Sequence, residues 1–184
     1  MEQEIAKFFW SYNETLIFDV FQIVSGKAYI FITSSVFIVY ALFRFKKRGI
    51  IILLAAILAV ALSDIICYRI LKPAFKRPRP VVELNLKAEE IAVKDKLAKA
   101  KDYSMPSNHA SNIFAFFIIY LFYVKRFWPL LFINSFLISA SRIILVKHYP
   151  SDVFAGIAVG IFLGLILIFT LSLCKFKPLL TGKA

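Results

Sequence analysis

The sequence predicts an all-α fold, a polytopic transmembrane helix bundle of about five to six spans with amphipathic helices at the membrane surface. Three observations carry this. Of 184 residues, 60% are hydrophobic and the mean hydropathy is +0.77, whereas soluble domains are nearer half apolar. Apolar runs of about 20 residues, the length a helix needs to cross hydrocarbon, recur along the chain. Short clusters rich in Lys, Arg and Pro separate them. The length suits one domain, residues 1–184.

The chain opens Met1-Glu2-Gln3-Glu4, acidic and polar. No cleavable signal peptide is expected from such a start, so the spans themselves drive insertion. Residues 1–27 mix Phe8, Phe9, Trp10, Leu16, Ile17, Phe18 and Phe21 with Lys7, Glu14 and Asp19. Charges this frequent predict an amphipathic helix or helix pair lying in the interface. Residues 28–45 form the first span, and a basic turn (Arg44, Lys46, Lys47, Arg48) leads to the second, 50–71.

Asp64 falls inside the second span. A carboxylate at mid-bilayer costs about 2.5–3.5 kcal/mol on insertion scales, so it should face protein or water. Helical spacing places Asp64, Tyr68 and Lys72 on one face. Residues 72–106 form the long polar segment. Its first part, Lys72 to Pro80, is basic and stiffened by three prolines. Residues 86–102 predict an amphipathic surface helix.

Pro106-Ser107-Asn108-His109 opens the third span, about 107–124; the fourth runs 127–146, with Arg142 in its apolar end. The fifth, 152–173, carries Gly156, Gly160 and Gly164 at four-residue spacing, a stripe that permits close helix packing. Cys67 and Cys174 form no CxxC or metal spacing and read as small apolar residues.

The net charge of +12 does not indicate a nucleic-acid partner, because no soluble face interleaves basic and aromatic residues. Cationic flanks that anchor spans against anionic headgroups account for it. The bilayer and a lipid substrate are the expected partners, with no obligate protein partner. The basic turns at 44–48 and 125–126 and the basic tail fall on one side, which the positive-inside rule makes cytoplasmic. The three polar clusters then face the periplasm or exterior of an inner (plasma) membrane.

Those clusters suggest chemistry. Lys72 and Arg79 come from one stretch and Arg142 from another, and such cations converge favourably only around an anion. Arginine's fork matches phosphate oxygens in pairs. Pro106-Ser107-Asn108 and Pro150-Ser151-Asp152 both suit helix starts, whose free N–H groups bind anions. The chain's two histidines, His109 and His148, both lie in these clusters. One neutral histidine could attack phosphorus, with Asp152 accepting the proton of its other nitrogen. The second could protonate the leaving oxygen and then activate water. Zinc is the rival reading, but the surrounding cations would repel a divalent ion, so neither metal nor cofactor is expected.

Lys72, six residues, Arg79-Pro80; Pro106-Ser107-Asn108-His109; and Ser141-Arg142, five residues, His148, three residues, Asp152 stand in this order. Together they resemble the signature of the type 2 phosphatidic acid phosphatase family. The resemblance implies that His148 is the nucleophile and forms a phosphohistidine, that Asp152 orients it, and that His109 is the acid toward the leaving group. It implies phosphate binding by Lys72, Arg79, Arg142, Ser107 and the amide of Asn108, without metal. Asn108 stands where the family usually has glycine, and asparagine is the residue that best tolerates glycine-like backbone angles. The family's soluble vanadate haloperoxidases do not fit this hydropathy. The expected activity is hydrolysis of a lipid headgroup phosphate, with lipid A 1-phosphate preferred. Phosphatidylglycerophosphate, undecaprenyl pyrophosphate and transfer to a lipid alcohol are near alternatives, and a non-catalytic anion carrier is the alternative of another class.

Overall fold

The computed structural model describes residues 1–84, 86 and 103–173, and among these the regular structure is entirely helical. Two short helices come first, α1 (Glu2–Trp10) and α2 (Leu16–Val24). In α1, Glu2 and Glu4 fall in the first turn and Lys7 in the last, which complements the helix dipole. Next come α3 (Lys27–Phe45) and α4 (Lys47–Ile65), joined at Lys46, whose φ of 48° ends the first helix. A π-helical stretch, Ile66–Leu71, continues α4 into the short α5 (Lys72–Phe75). Pro80 opens the short α6 (Pro80–Glu83). The rest of the bundle is α7 (Asn108–Tyr123), α8 (Trp128–Ile144) and α9 (Pro150–Leu173).

The central element is α7. It packs against α4, α8 and α9, and Ser111, Phe114, Phe116, Phe117, Ile119 and Tyr120, pointing in several directions around it, are buried. Lipid tails are as apolar as these side chains, so close packing rather than water exclusion holds the helices together. The glycine stripe provides it. A Cβ on Gly156 would lie 2.5 Å from the Ser107 carbonyl oxygen, and one on Gly160 would overlap the Ser111 carbonyl. The backbone of α9 therefore lies directly on α7. Outward-facing Phe31, Val36, Leu54, Ile57, Phe162 and Phe169 form the exposed apolar surface.

Three stretches are long and apolar enough to cross a membrane: Lys27–Phe45, Lys47–Glu83 and Pro150–Leu173. The other two expected spans are shorter, 16 residues for α7 and 17 for α8. At 1.5 Å per residue, α7 rises about 24 Å. Enclosed by its neighbours, it has little lipid surface to match.

The π-helix corrects one expectation. Asp64 and Tyr68 are exposed while Lys72 is buried, so the three do not share a face. A π-turn adds a residue to the turn, which rotates everything after it. That rotation brings Lys72 inward. The amphipathic segment expected at 86–102 and Cys174 lie almost wholly outside the described residues.

Candidate active site

Buried polar residues gather at one end of the bundle, where α5 follows the π-helix, α7 begins, α8 ends and α9 begins. Lys72, Arg79, Ser104, Ser107, Arg142, His148 and Asp152 are all more than nine-tenths buried there.

His148 is placed by a tight turn after α8. Val146 takes φ 52°, a left-handed conformation costly for a β-branched residue. The turn brings the N–H groups of Lys147 and His148 onto the one carbonyl of Arg142, each at 3.0 Å. Pro150 begins α9, and Asp152 Oδ2 accepts the Tyr149 N–H at 2.8 Å. This is a capping arrangement, so the carboxylate beside the histidine also fixes the start of α9.

The imidazole is polarised along a line. Arg79 Nη1 lies 3.4 Å from Nε2 and also donates to the Lys147 carbonyl at 3.1 Å. Guanidinium only donates, so Nε2 presents its lone pair and the proton is on Nδ1. Ser104 Oγ lies 3.3 Å from Nδ1 and donates to Asp152 Oδ2 at 2.5 Å. The direct Nδ1–Asp152 distance is 3.8 Å, so the carboxylate acts on the histidine through Ser104. Burial foremost, then the charges of Arg79, Arg142 and Lys72, hold His148 well below the usual histidine range. It is neutral at pH 7, and its approach to Asp152 is not an ion pair.

The remaining candidates converge from neighbouring elements. Lys72 Nζ donates to the Tyr103 carbonyl at 2.5 Å, and Arg142 Nη1 donates to Ser25 Oγ at 2.8 Å. His109 lies within electrostatic reach of His148, Arg142 and Arg79. Ser107 N–H donates to the Asp152 carbonyl at 2.9 Å, joining the heads of α7 and α9. The buried Ser107 hydroxyl has no partner among the described residues. Asn108 points its side chain elsewhere: Nδ2 donates to Asp64 Oδ1 at 2.8 Å, and Asn112 Nδ2 donates to the same oxygen at 3.1 Å. The backbone N–H of Asn108 sits at a helix start, where N–H groups lack intrahelical partners, while the buried Asn108 Oδ1 has no partner among the described residues.

Sequence reasoning missed three contributors. Ser104 had no motif spacing to mark it. Arg77, lost among the basic residues of its segment, donates to Asp152 Oδ1 at 2.8 Å. Glu2 in turn accepts from Arg77 at 2.6 Å.

Two spaces meet at His109. A chamber of about 430 Å³ lies between the site and α1–α2, with Arg142 and Lys147 on one side and Trp10, Glu14, Asp19 and Gln22 on the other. A groove of about 610 Å³ runs between α3, α4 and α7, lined by Ile38, Leu53, Ile57, Val60 and Phe116, with Lys27, Asp64 and His109 among its lining.

A family model described as the PAP2 superfamily matches residues 49–173. The chain belongs to the PAP2 superfamily. A lipid A 4′-phosphatase of Bacteroides thetaiotaomicron is 32% identical over 122 residues, 64% of this chain and 53% of that protein. The chain thus spans about half the length of that curated relative. The crystal structure of a transmembrane PAP2-type phosphatidylglycerolphosphate phosphatase from Bacillus subtilis superposes with a TM-score of 0.65, covering 96% of this chain and 86% of the other at 19% identity. At that identity the likeness is one of fold. With its long apolar helices, the chain is an integral membrane member of the superfamily.

Proposed function

We propose that the protein is a metal-independent lipid phosphatase that works through a phosphohistidine on His148 Nε2. The observation that carries this is His148 Nε2 lying beside Arg79 while Nδ1 lies beside Ser104, which donates to Asp152. Nε2 attacks phosphorus and the bond from phosphorus to the lipid oxygen breaks. His109, entering as the acid, gives that oxygen its proton. Water then attacks the phosphohistidine, His109 takes the water's proton, and the P–N bond breaks to release inorganic phosphate. Lys72, Arg79 and Arg142 hold the phosphate oxygens, with the Ser107 hydroxyl and the Asn108 N–H at the head of α7.

The substrate class we favour is phosphorylated lipid A. The apolar groove suits acyl chains, and the chamber above His109 has room and polar groups for a headgroup larger than phosphate. The name of the Bacteroides relative points to the 4′-phosphate, whereas the 1-phosphate is the expectation from sequence. The site faces the outer side of the inner membrane, on the charge asymmetry of the loops.

The test is phosphate release by purified protein in EDTA, across mono-phosphorylated lipid A isomers, phosphatidylglycerophosphate and undecaprenyl pyrophosphate. Expected are turnover that survives chelation, a preference for a lipid A isomer, and loss of turnover in His148→Ala. Restoration by zinc after chelation would support the metal reading. Full turnover in His148→Ala would end the nucleophile assignment.

A further inference from the structure

Asp152 is fully buried, and a buried carboxylate is stable only when both oxygens are engaged. Ser104 and the Tyr149 N–H take Oδ2. Arg77 takes Oδ1, and the same Nη1 donates to Ser151 Oγ at 2.5 Å. The guanidinium lies 4.2 Å from the centre of the Tyr149 ring. Its Nη2 donates to Glu2 Oε2 at 2.6 Å, and Glu2 Oε1 accepts the Ser151 N–H at 3.0 Å. Glu2 therefore grips both the arginine and the first turn of α9.

The rest of α1 is fastened over the same place. Ala6 is buried with Val146 and Tyr149, and Phe9 and Trp10 pack on them. Gln3 donates to Glu83 at 2.9 Å, and the Tyr149 hydroxyl donates to the other oxygen of Glu83 at 2.8 Å. Burial raises the proton affinity of Glu2, but the bonds from Arg77 and Ser151 outweigh it and hold the carboxyl below its ordinary range. The ion pair is thus intact at neutral pH.

We propose that Arg77, clasped by Glu2, is a positioning residue that fixes the Asp152 carboxylate and, through Ser104, the tautomer of His148. The N-terminal helix α1 is then a working part of the catalytic apparatus. This rests on reading His148 as the nucleophile.

Two measurements on the purified full-length protein in detergent micelles test it. The first is ¹⁵N NMR of labelled histidine. The chain has only two histidines, and His109→Gln assigns the His148 signals. The parent is expected to show a neutral ring protonated at Nδ1. Arg77→Gln is expected to show mixed tautomers and a midpoint moved to higher pH, because Asp152 loses its counter-ion. The other groups facing the ring stay in place: Lys72, Arg79 and Arg142, with His109 within electrostatic reach. The second is turnover on the best lipid of the panel. Arg77→Gln should lower kcat about 10- to 100-fold, the loss expected on removing a hydrogen bond to a charged group, with KM within about twofold. Arg77→Lys keeps the charge but loses the fork and should recover part of kcat. Glu2→Gln should lower kcat less, and the double variant no further than Arg77→Gln. Melting curves identify any variant that fails to fold. Unchanged His148 signals in folded Arg77→Gln would overturn the proposal, as would kcat within about threefold of the parent. A parent inactive on every lipid would overturn the phosphatase reading, and the NMR result would still decide this one.

Discussion

Removing the Ser104 hydroxyl probes the link between the carboxylate and the nucleophile. Ser104→Ala deletes the oxygen that lies 3.3 Å from His148 Nδ1 and 2.5 Å from Asp152 Oδ2. Asp152 stays where it is, held by Arg77 and the Tyr149 N–H, with its oxygen still 3.8 Å from Nδ1. At that distance no hydrogen bond forms. The ring gains positive charge as Nε2 bonds to phosphorus, so the lost bond matters most in the transition state. A hydrogen bond to a charged group is worth about 1.5–3 kcal/mol. At 1.36 kcal/mol per decade of rate, kcat should fall about 10- to 150-fold. KM should stay within about twofold, because Ser104 does not face the phosphate. The assay is initial-rate phosphate release from a lipid substrate in EDTA, with melting curves as the control for folding. A folded Ser104→Ala with kcat within twofold of the parent would refute the relay and make Ser104 a packing residue.

Four further outcomes follow from the same geometry. Because burial and the neighbouring cations depress His148 well below 6.5, the acid limb of kcat/KM from this group should lie below the ordinary histidine range. The unfolded chain binds this proton more readily than the folded one, so His148 makes stability fall as pH drops below about 6.5, which melting across pH checks. Gly160→Ala would drive a methyl group into the Ser111 carbonyl, and overpacking of this kind costs about 1–3 kcal/mol. Thermal melting in detergent should show a lowered midpoint. Asp64→Asn keeps an acceptor for Asn108 and Asn112, so turnover should stay within about threefold of the parent in the phosphate-release assay; a larger loss would give Asp64 a role beyond tying α4 to α7.

Much of the polar end of the bundle was legible because its residue types stand out against an apolar background. Lys72, Arg79, His109, Arg142, His148 and Asp152 would each be costly in lipid without a purpose, and their spacing placed them at helix ends on one side. The three glycines of α9 were legible for a similar reason, since their spacing matches a helix face. What remained hidden depends on distance or on local backbone. Glu2 and Arg77 are 75 positions apart and meet only when α1 folds over the loop before α9. Ser104 is one of many serines, and its place between His148 and Asp152 is a matter of ångströms. The π-helix before Lys72 leaves no composition signal, so a regular helix placed Asp64 and Lys72 on one face when the structure separates them. Asn108 departs from the glycine usual at this position, and its side-chain Nδ2 has a partner, Asp64.

The central claim is that His148 Nε2 takes the phosphoryl group. The most direct measurement is metal-free turnover of ³²P-labelled lipid, quenched in alkaline detergent and followed by peptide mass spectrometry at neutral to basic pH. The account predicts an acid-labile, base-stable phosphoryl group on His148 Nε2, absent in His148→Ala. Label on His109, or turnover that proceeds with no labelled enzyme at any quench time, would contradict it.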